Sequence, residues 1–236
     1  MPNPRIFIAT PTADGQECAA YGLSMRVLQA FPPCELVIPM SIYDQDLVRV
    51  RSRYVADFLE SDASHLLYVD ADIGWSPDVV RGMLAAGEDY VCAPYRRKCE
   101  QTRYPVVLLP GADPTIRENH TTEVGGCGLG MTLLSRAMLE RMVEHYWRLT
   151  FRDRAKGDRR TVALFQLIIA DEELLSEDLS FGRRWRAMGG KIWLYLGPGS
   201  PVDHYGSKRY VGTLADFGCP APDAPAIPTP AGSYPS

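Results

Sequence analysis

In His65-Leu66-Leu67-Tyr68-Val69-Asp70-Ala71-Asp72 a mostly apolar run ends abruptly in two acids one residue apart. A continuous apolar run of this length marks a strand buried on both faces of a parallel sheet. In open α/β sheets, ligands bind at the carboxyl ends of the strands, and that is where Asp70 and Asp72 fall. Side chains alternate along extended backbone, so the two carboxylates are expected to point the same way. Burying two neighbouring acids is costly unless a cation or hydrogen-bond donors compensate. Oxygen ligands favour Mg²⁺ or Mn²⁺, which commonly bridge one or two carboxylates to substrate phosphates. The plain alternative is a polar turn that caps the next helix, since a three-residue pattern arises often by chance.

Outward from this strand the chain alternates in a βα rhythm. Strands are expected at Ile6–Ala9, Leu36–Pro39 and Tyr90–Ala93, and helices at Cys18–Phe31, Leu47–Leu59 and from Pro77 to about Ala86, with Pro77 at a favoured first-turn position. Such alternation implies an α/β fold: one Rossmann-like domain with a mixed, mainly parallel sheet flanked by helices. The second half is less regular. Val106–Leu109, Thr122–Val124 and Ile192–Leu196 read as strands, and Leu134–His145 and Glu177–Met188 as helices. Between them, Arg148–Arg160 holds five Arg, one Lys and two Asp and reads as a solvated loop. Gly125-Gly126-Cys127-Gly128-Leu129-Gly130 lacks the Lys-Ser/Thr ending of a phosphate-binding loop and the Gly-x-Gly-x-x-Gly spacing. It is either an irregular strand or a place where backbone comes close to a substrate.

The chain has 236 residues, 46% hydrophobic and 23% charged, enough to bury a substantial core. Residues 1–218 are expected to form the domain, and 219–236, with six of the nineteen prolines, an extended Pro/Ala-rich tail. With 25 basic and 29 acidic residues the formal charge is −4, which excludes a generic electrostatic nucleic-acid binder. No apolar run is long enough for a transmembrane helix, and the start shows no charged leader with a long apolar core. A soluble, cytoplasmic protein is the expectation. The six cysteines form no Cys-x-x-Cys pair and read mostly as buried free thiols.

The segment His65–Ile73 resembles the Asp-x-Asp segment of glycosyltransferases with the GT-A fold, family-2-like and dependent on nucleotide-diphosphate sugars. Two further segments match in the same order. Ser176-Glu177-Asp178-Leu179-Ser180-Phe181, with Arg184-Trp185 and Gly189-Gly190-Lys191-Ile192-Trp193, resembles the Glu-Asp acceptor-side helix and its following strand. Asp203-His204-Tyr205-Gly206-Ser207 resembles the C-terminal His-x-Gly segment, so the likeness covers roughly residues 5 to 212.

The resemblance implies a GT-A-like domain that moves a sugar from a nucleotide-diphosphate sugar to a hydroxyl of a glycan, a lipid-linked or another acceptor. By the same likeness Asp72 would hold Mn²⁺ or Mg²⁺, Asp70 would lie beside the ribose or the metal, and His204 would complete the metal shell. Asp178, with Glu177 as the lesser candidate, would be the base of an inverting transfer. The same Ser-Glu-Asp also suits a capped helix start with acids in its first turn. Thr10 and Pro11, after the first strand, would border the nucleotide base, or simply turn the chain. Arg53 matches a helix arginine that faces the nucleotide in similar enzymes, although Tyr54 stands where they often have Asn. Its plain alternative is an i, i+4 pair with Asp57. Lys98 and Lys208 are the basic residues expected to meet the diphosphate or an anionic acceptor. Two other functions stay open: a phosphatase or phosphotransferase with Asp70 as nucleophile, and a non-catalytic nucleotide-sugar-binding module. Against the first, Gly74 stands where a Thr or Val is usual and the motif lies on the third strand.

Overall fold

The computed structural model describes residues 4–39, 44–111, 115–154, 157–170 and 172–218; the tail 219–236 lies outside the described residues. Seven strands form the central sheet: β1 (Arg5–Ala9), β2 (Glu35–Val37), β3 (His65–Val69), β4 (Tyr90–Cys92), β5 (Thr121–Val124), β6 (Met131–Ser135) and β7 (Ile192–Tyr195). Their order is β2-β1-β3-β6-β4-β7-β5. β2, β1 and β3 pair in parallel, as do β4 and β7, while β6 runs antiparallel to both β3 and β4, and β5 antiparallel to β7. The sheet is therefore mixed, with most strands pointing one way.

Five helices cover it: α1 (Ala19–Ala30), α2 (Leu47–Glu60), α3 (Pro77–Ala86), α4 (Arg136–His145) and α5 (Glu177–Ala187). Alternation sorts the strand residues between two cores. Phe7, Leu66, Tyr68 and Leu134 pack with Tyr54, Phe58, Met138 and Phe181 from α2, α4 and α5. Ile6, Ile8, Leu67 and Val69 pack with Tyr21, Leu28, Val79 and Met83 from α1 and α3. With both faces covered, β3 is buried from Leu66 through Val69, which is why its sequence is continuously apolar rather than alternating. Among the described residues no helix is long and apolar enough to cross a membrane.

Two segments differ from expectation. The helix expected from Leu134 begins only at Arg136, and Met131–Ser135 before it is a strand at the centre of the sheet. Ser135 ends that strand and caps the helix, its hydroxyl accepting from the Met138 N–H at 3.1 Å. Strand and helix therefore adjoin without a Gly or Pro to separate them. The loop expected over Arg148–Arg160 is largely an antiparallel hairpin, Thr150–Asp153 with Arg159–Val162. Its charges hid the alternation, because one of its inward residues is itself an acid, Asp153, only 3% exposed. Of the five described cysteines, all unpaired, Cys92 and Cys127 are buried and Cys18, Cys34 and Cys99 half-buried, so the expected burial holds only for two.

Candidate functional site

The carboxyl ends of β1 and β3 open on a cleft of about 430 Å³ whose walls include Pro11, Ala13, Leu47, Arg51, Asp70 and Asp72. A smaller cavity of about 250 Å³ lies beside it, bordered by Thr10, Tyr21, Arg26, Ile38 and Tyr54, and Glu17 lines both. Thr10 is buried with its hydroxyl 2.5 Å from that of Tyr21, while the Tyr54 hydroxyl donates to the Thr10 carbonyl at 2.9 Å. Burial pushes the Tyr21 phenol up to about 12, so it remains a neutral hydroxyl.

Asp70 and Asp72 do not continue the strand. Asp70-Ala71-Asp72 turns, with the Ile73 N–H donating to the Asp70 carbonyl at 3.1 Å, so the two carboxylates take different partners instead of pointing the same way. Asp70 accepts from Arg51 Nη2 at 3.0 Å. Asp72 pairs with Lys98 through Oδ2, and its Oδ1 lies 3.4 Å from His204 Nε2. That Oδ1 is buried without a hydrogen-bond partner. Burial by itself would raise the Asp72 carboxyl, but His204 and Lys98 outweigh it and hold the group below its usual value.

His204 arrives from far along the chain on a small antiparallel sheet, Ile73–Gly74 with Asp203–Tyr205 and Arg209–Tyr210. The Tyr205 N–H donates to the Asp72 carbonyl at 2.8 Å, which ties the C-terminal segment to the turn. His204 Nδ1 lies 2.7 Å from the Arg96 carbonyl, so Nδ1–H donates there. Nε2 is then the nitrogen that faces Asp72: it donates toward the carboxylate when the ring is protonated and offers a lone pair when the ring is neutral.

Arg51 was not singled out in the sequence. It projects from α2, 4% exposed, and stands 3.0 Å from Asp70 and 3.6 Å from Glu177. Burial opposes its charge, but Asp70 and Glu177 more than compensate and raise its pKa. Its Nε and Nη1 make no hydrogen bond. Glu177 opens α5. Burial raises its carboxyl, and Asp178 and Asp70 add to that against the pull of Arg51. Asp178 is fixed through Oδ1, which accepts from the Ser176 hydroxyl and, at 2.7 Å, from the Leu179 N–H. Tyr95 is a second residue missed. Its ring meets His204 edge to face at 5.2 Å, and burial foremost, then Asp70 and Asp178, push its phenol well up. Its place just beyond the carboxyl end of β4 was the available signal, the same one that marked Asp70.

The glycine run serves Tyr95. A Cβ on Gly128 would stand 2.2 Å from the Tyr95 hydroxyl oxygen and one on Gly130 2.8 Å from its ring. The close approach in this stretch is therefore made by a side chain of the protein itself. Arg53 does not pair with Asp57. It is buried against Asp153, donating to Oδ1 at 2.7 Å, and against Asp44 at 3.1 Å, whereas Asp57 pairs with Arg159. Lys208 is exposed and held by both oxygens of Glu100 at 2.7 and 2.8 Å.

Among the described residues no three His, Cys, Asp or Glu side chains form a ready metal cage. Two atoms of the kind that ligate metals lie 3.4 Å apart: the orphaned Asp72 Oδ1 and His204 Nε2. Such a pair fits a divalent ion that completes its shell with substrate phosphates and water. Three carboxylates, of Asp70, Asp72 and Glu177, face the basic Arg51 and Lys98, and Asp178 lies beside Glu177, a surplus of negative charge that suits a divalent cation.

No protein-family model and no curated protein matches the chain. Among solved structures it is similar to A197 from STIV, at 21% identity and a TM-score of 0.51, over 86% of this chain and 85% of that one. This likeness shows the α/β fold. A glycosyltransferase involved in the glycosylation of the major capsid of PBCV-1 also matches, at 10% identity and a TM-score of 0.35, over 62% of this chain and 67% of that one. That likeness is too slight to carry an argument.

Proposed function

We propose that this chain is a glycosyltransferase that moves a sugar from a nucleotide-diphosphate donor to a hydroxyl acceptor with inversion. One observation carries the reading: three segments far apart in sequence meet at the ends of the strands. Asp70 and Glu177 share Arg51, and Asp72 faces His204. A stray Asp-x-Asp turn needs neither of the other two segments.

In this reading the nucleoside lies toward Thr10, Pro11 and the cavity beside Tyr21, with the diphosphate toward Asp72 and Lys98. Asp72 and His204 would hold Mn²⁺ or Mg²⁺, which supplies positive charge against the departing diphosphate. Asp178 takes the proton of the acceptor hydroxyl as its oxygen attacks the anomeric carbon and the bond to the diphosphate oxygen breaks. Its tie to Ser176 and Leu179 keeps the carboxylate at the helix start. Arg51 links the donor-side Asp70 to the acceptor-side Glu177 and offsets both charges. Lys208, engaged by Glu100, is a weaker partner for the diphosphate than Lys98. The phosphotransferase reading gains nothing, because a carboxylate clamped by a buried guanidinium is a poor nucleophile.

The test is incubation with a panel of nucleotide sugars, Mn²⁺ and hydroxyl acceptors, with release of nucleoside diphosphate as readout. Turnover is expected, and Asp178→Asn should lower it by about 10²–10⁴-fold while donor affinity stays within a few-fold. Neither turnover nor donor binding across the panel would refute the reading. Full turnover in Asp178→Asn would remove Asp178 as the base.

A further inference from the structure

The hairpin Thr150–Asp153 with Arg159–Val162 sorts its charges by face. Toward α2, Asp153 pairs with Arg53, and Arg159 with Asp57 and, at 2.8 Å, Glu60. On the outer face Arg152 stands directly opposite Arg160. Both are exposed, as are Arg148 before the first strand and Arg154 after it. None of the four is held by an acid among the described residues. Like charges opposite each other weaken a strand pair, so a chain of net charge −4 keeps this cationic face at a cost.

Aromatic and aliphatic side chains mark what it meets. Trp147 is 60% exposed, whereas Trp75, Trp185 and Trp193 are at most 9% exposed. The Arg148 guanidinium lies 5.3 Å from the Trp147 ring. In the neighbouring hairpin Ile169 is paired with Leu174, and at 76% and 67% they are the most exposed large apolar residues among those described. Gln166, three residues before the second hairpin, shares a surface groove with Arg148 and Thr150. Glu172 and Glu173, at the turn of the second hairpin, leave the electrostatic attraction to the first.

We infer that this face docks on the anionic surface of a phospholipid bilayer: the arginines meet headgroup phosphates, and Trp147, Ile169 and Leu174 enter the interface. Two bare aliphatic tips favour a lipid surface over a nucleic acid, whose backbone offers them nothing. The start of α2 borders both the groove, through Asp46 and Arg49, and the cleft, through Leu47 and Arg51. Docking would therefore hold the cleft beside the lipid. The inference stands apart from sugar transfer, because vesicle binding and turnover are separate measurements.

The experiment is cosedimentation of the full chain with phosphatidylcholine vesicles, with and without phosphatidylserine. Binding is expected only with phosphatidylserine, is lost as salt rises, and is accompanied by a blue shift of tryptophan emission. Arg152→Gln with Arg160→Gln should weaken binding by about 30-fold at a melting temperature no lower than that of the wild type. The paired Lys substitutions, which keep the charges, should retain binding. Trp147→Phe should remove the emission shift. No sedimentation of the wild type with phosphatidylserine vesicles at low salt would overturn the inference. So would undiminished binding by the double Gln variant, or tighter binding to single-stranded RNA than to vesicles.

Discussion

Arg51 and Arg53 stand two residues apart on α2 and have opposite surroundings. Arg51 lines the cleft, and its Nε and Nη1 make no hydrogen bond. Arg53 is locked against Asp153, at 5% and 3% side-chain exposure. An acid so deeply buried depends on its partner, and breaking such a pair costs far more than a surface bridge is worth. Arg53→Ala should therefore lower unfolding stability by about 3–5 kcal/mol, measured by urea denaturation. A loss under about 1 kcal/mol, the range of exposed pairs, would show that the pair is solvated. Nothing in the spacing of Arg49, Arg51 and Arg53 told these fates apart. Arg53 was the residue expected at the nucleotide because its sequence context resembled a motif. Burial and a partner 100 residues away set its surroundings, and neither is encoded locally.

At the scale of elements, the edge strand β5 is fastened to α5 and its following turn by Glu123, which lies 3.3 Å from Arg186 and 3.1 Å from Lys191. Burial alone would raise this carboxyl, but the two cations outweigh it and lower its pKa. A lowered carboxylate contributes stability that is present above its unfolded value and lost as pH falls through the folded one. Glu123→Gln should thus cost about 1 kcal/mol or less at about pH 7, and the difference in urea midpoint should shrink as pH falls below the ordinary carboxylate range. A difference that persists in acid would point to packing instead. Strands such as His65–Val69 and helices such as Leu47–Glu60 were legible because apolar period and caps agree. Met131–Ser135 was not: its apolar run flows into α4, and the capping role of Ser135 is the only divider. The basic hairpin was hidden because its inward face mixes the ion-paired Asp153 and Arg159 with Phe151 and Thr161.

Over the whole molecule, the α/β class followed from alternating strands and helices, and the position of the cleft from the strand ends. The convergence of Asp72, His204 and Glu177 rested on the order of three motifs, and their contacts come from long-range pairing. The small sheet that seats His204 opposite Ile73 has no local sequence signal. The turn at Asp70-Ala71-Asp72 leaves one acid to Arg51 and the other to Lys98, partners that are distant in sequence.

The claim that these segments form one metal-assisted donor site is tested most directly by calorimetric titration of a nucleoside diphosphate into wild type, Asp72→Ala and His204→Ala, each with and without Mn²⁺. The expected result is binding that requires Mn²⁺ in the wild type and is at least about tenfold weaker in both variants. Equal affinity with and without the metal, unchanged by either substitution, would contradict it.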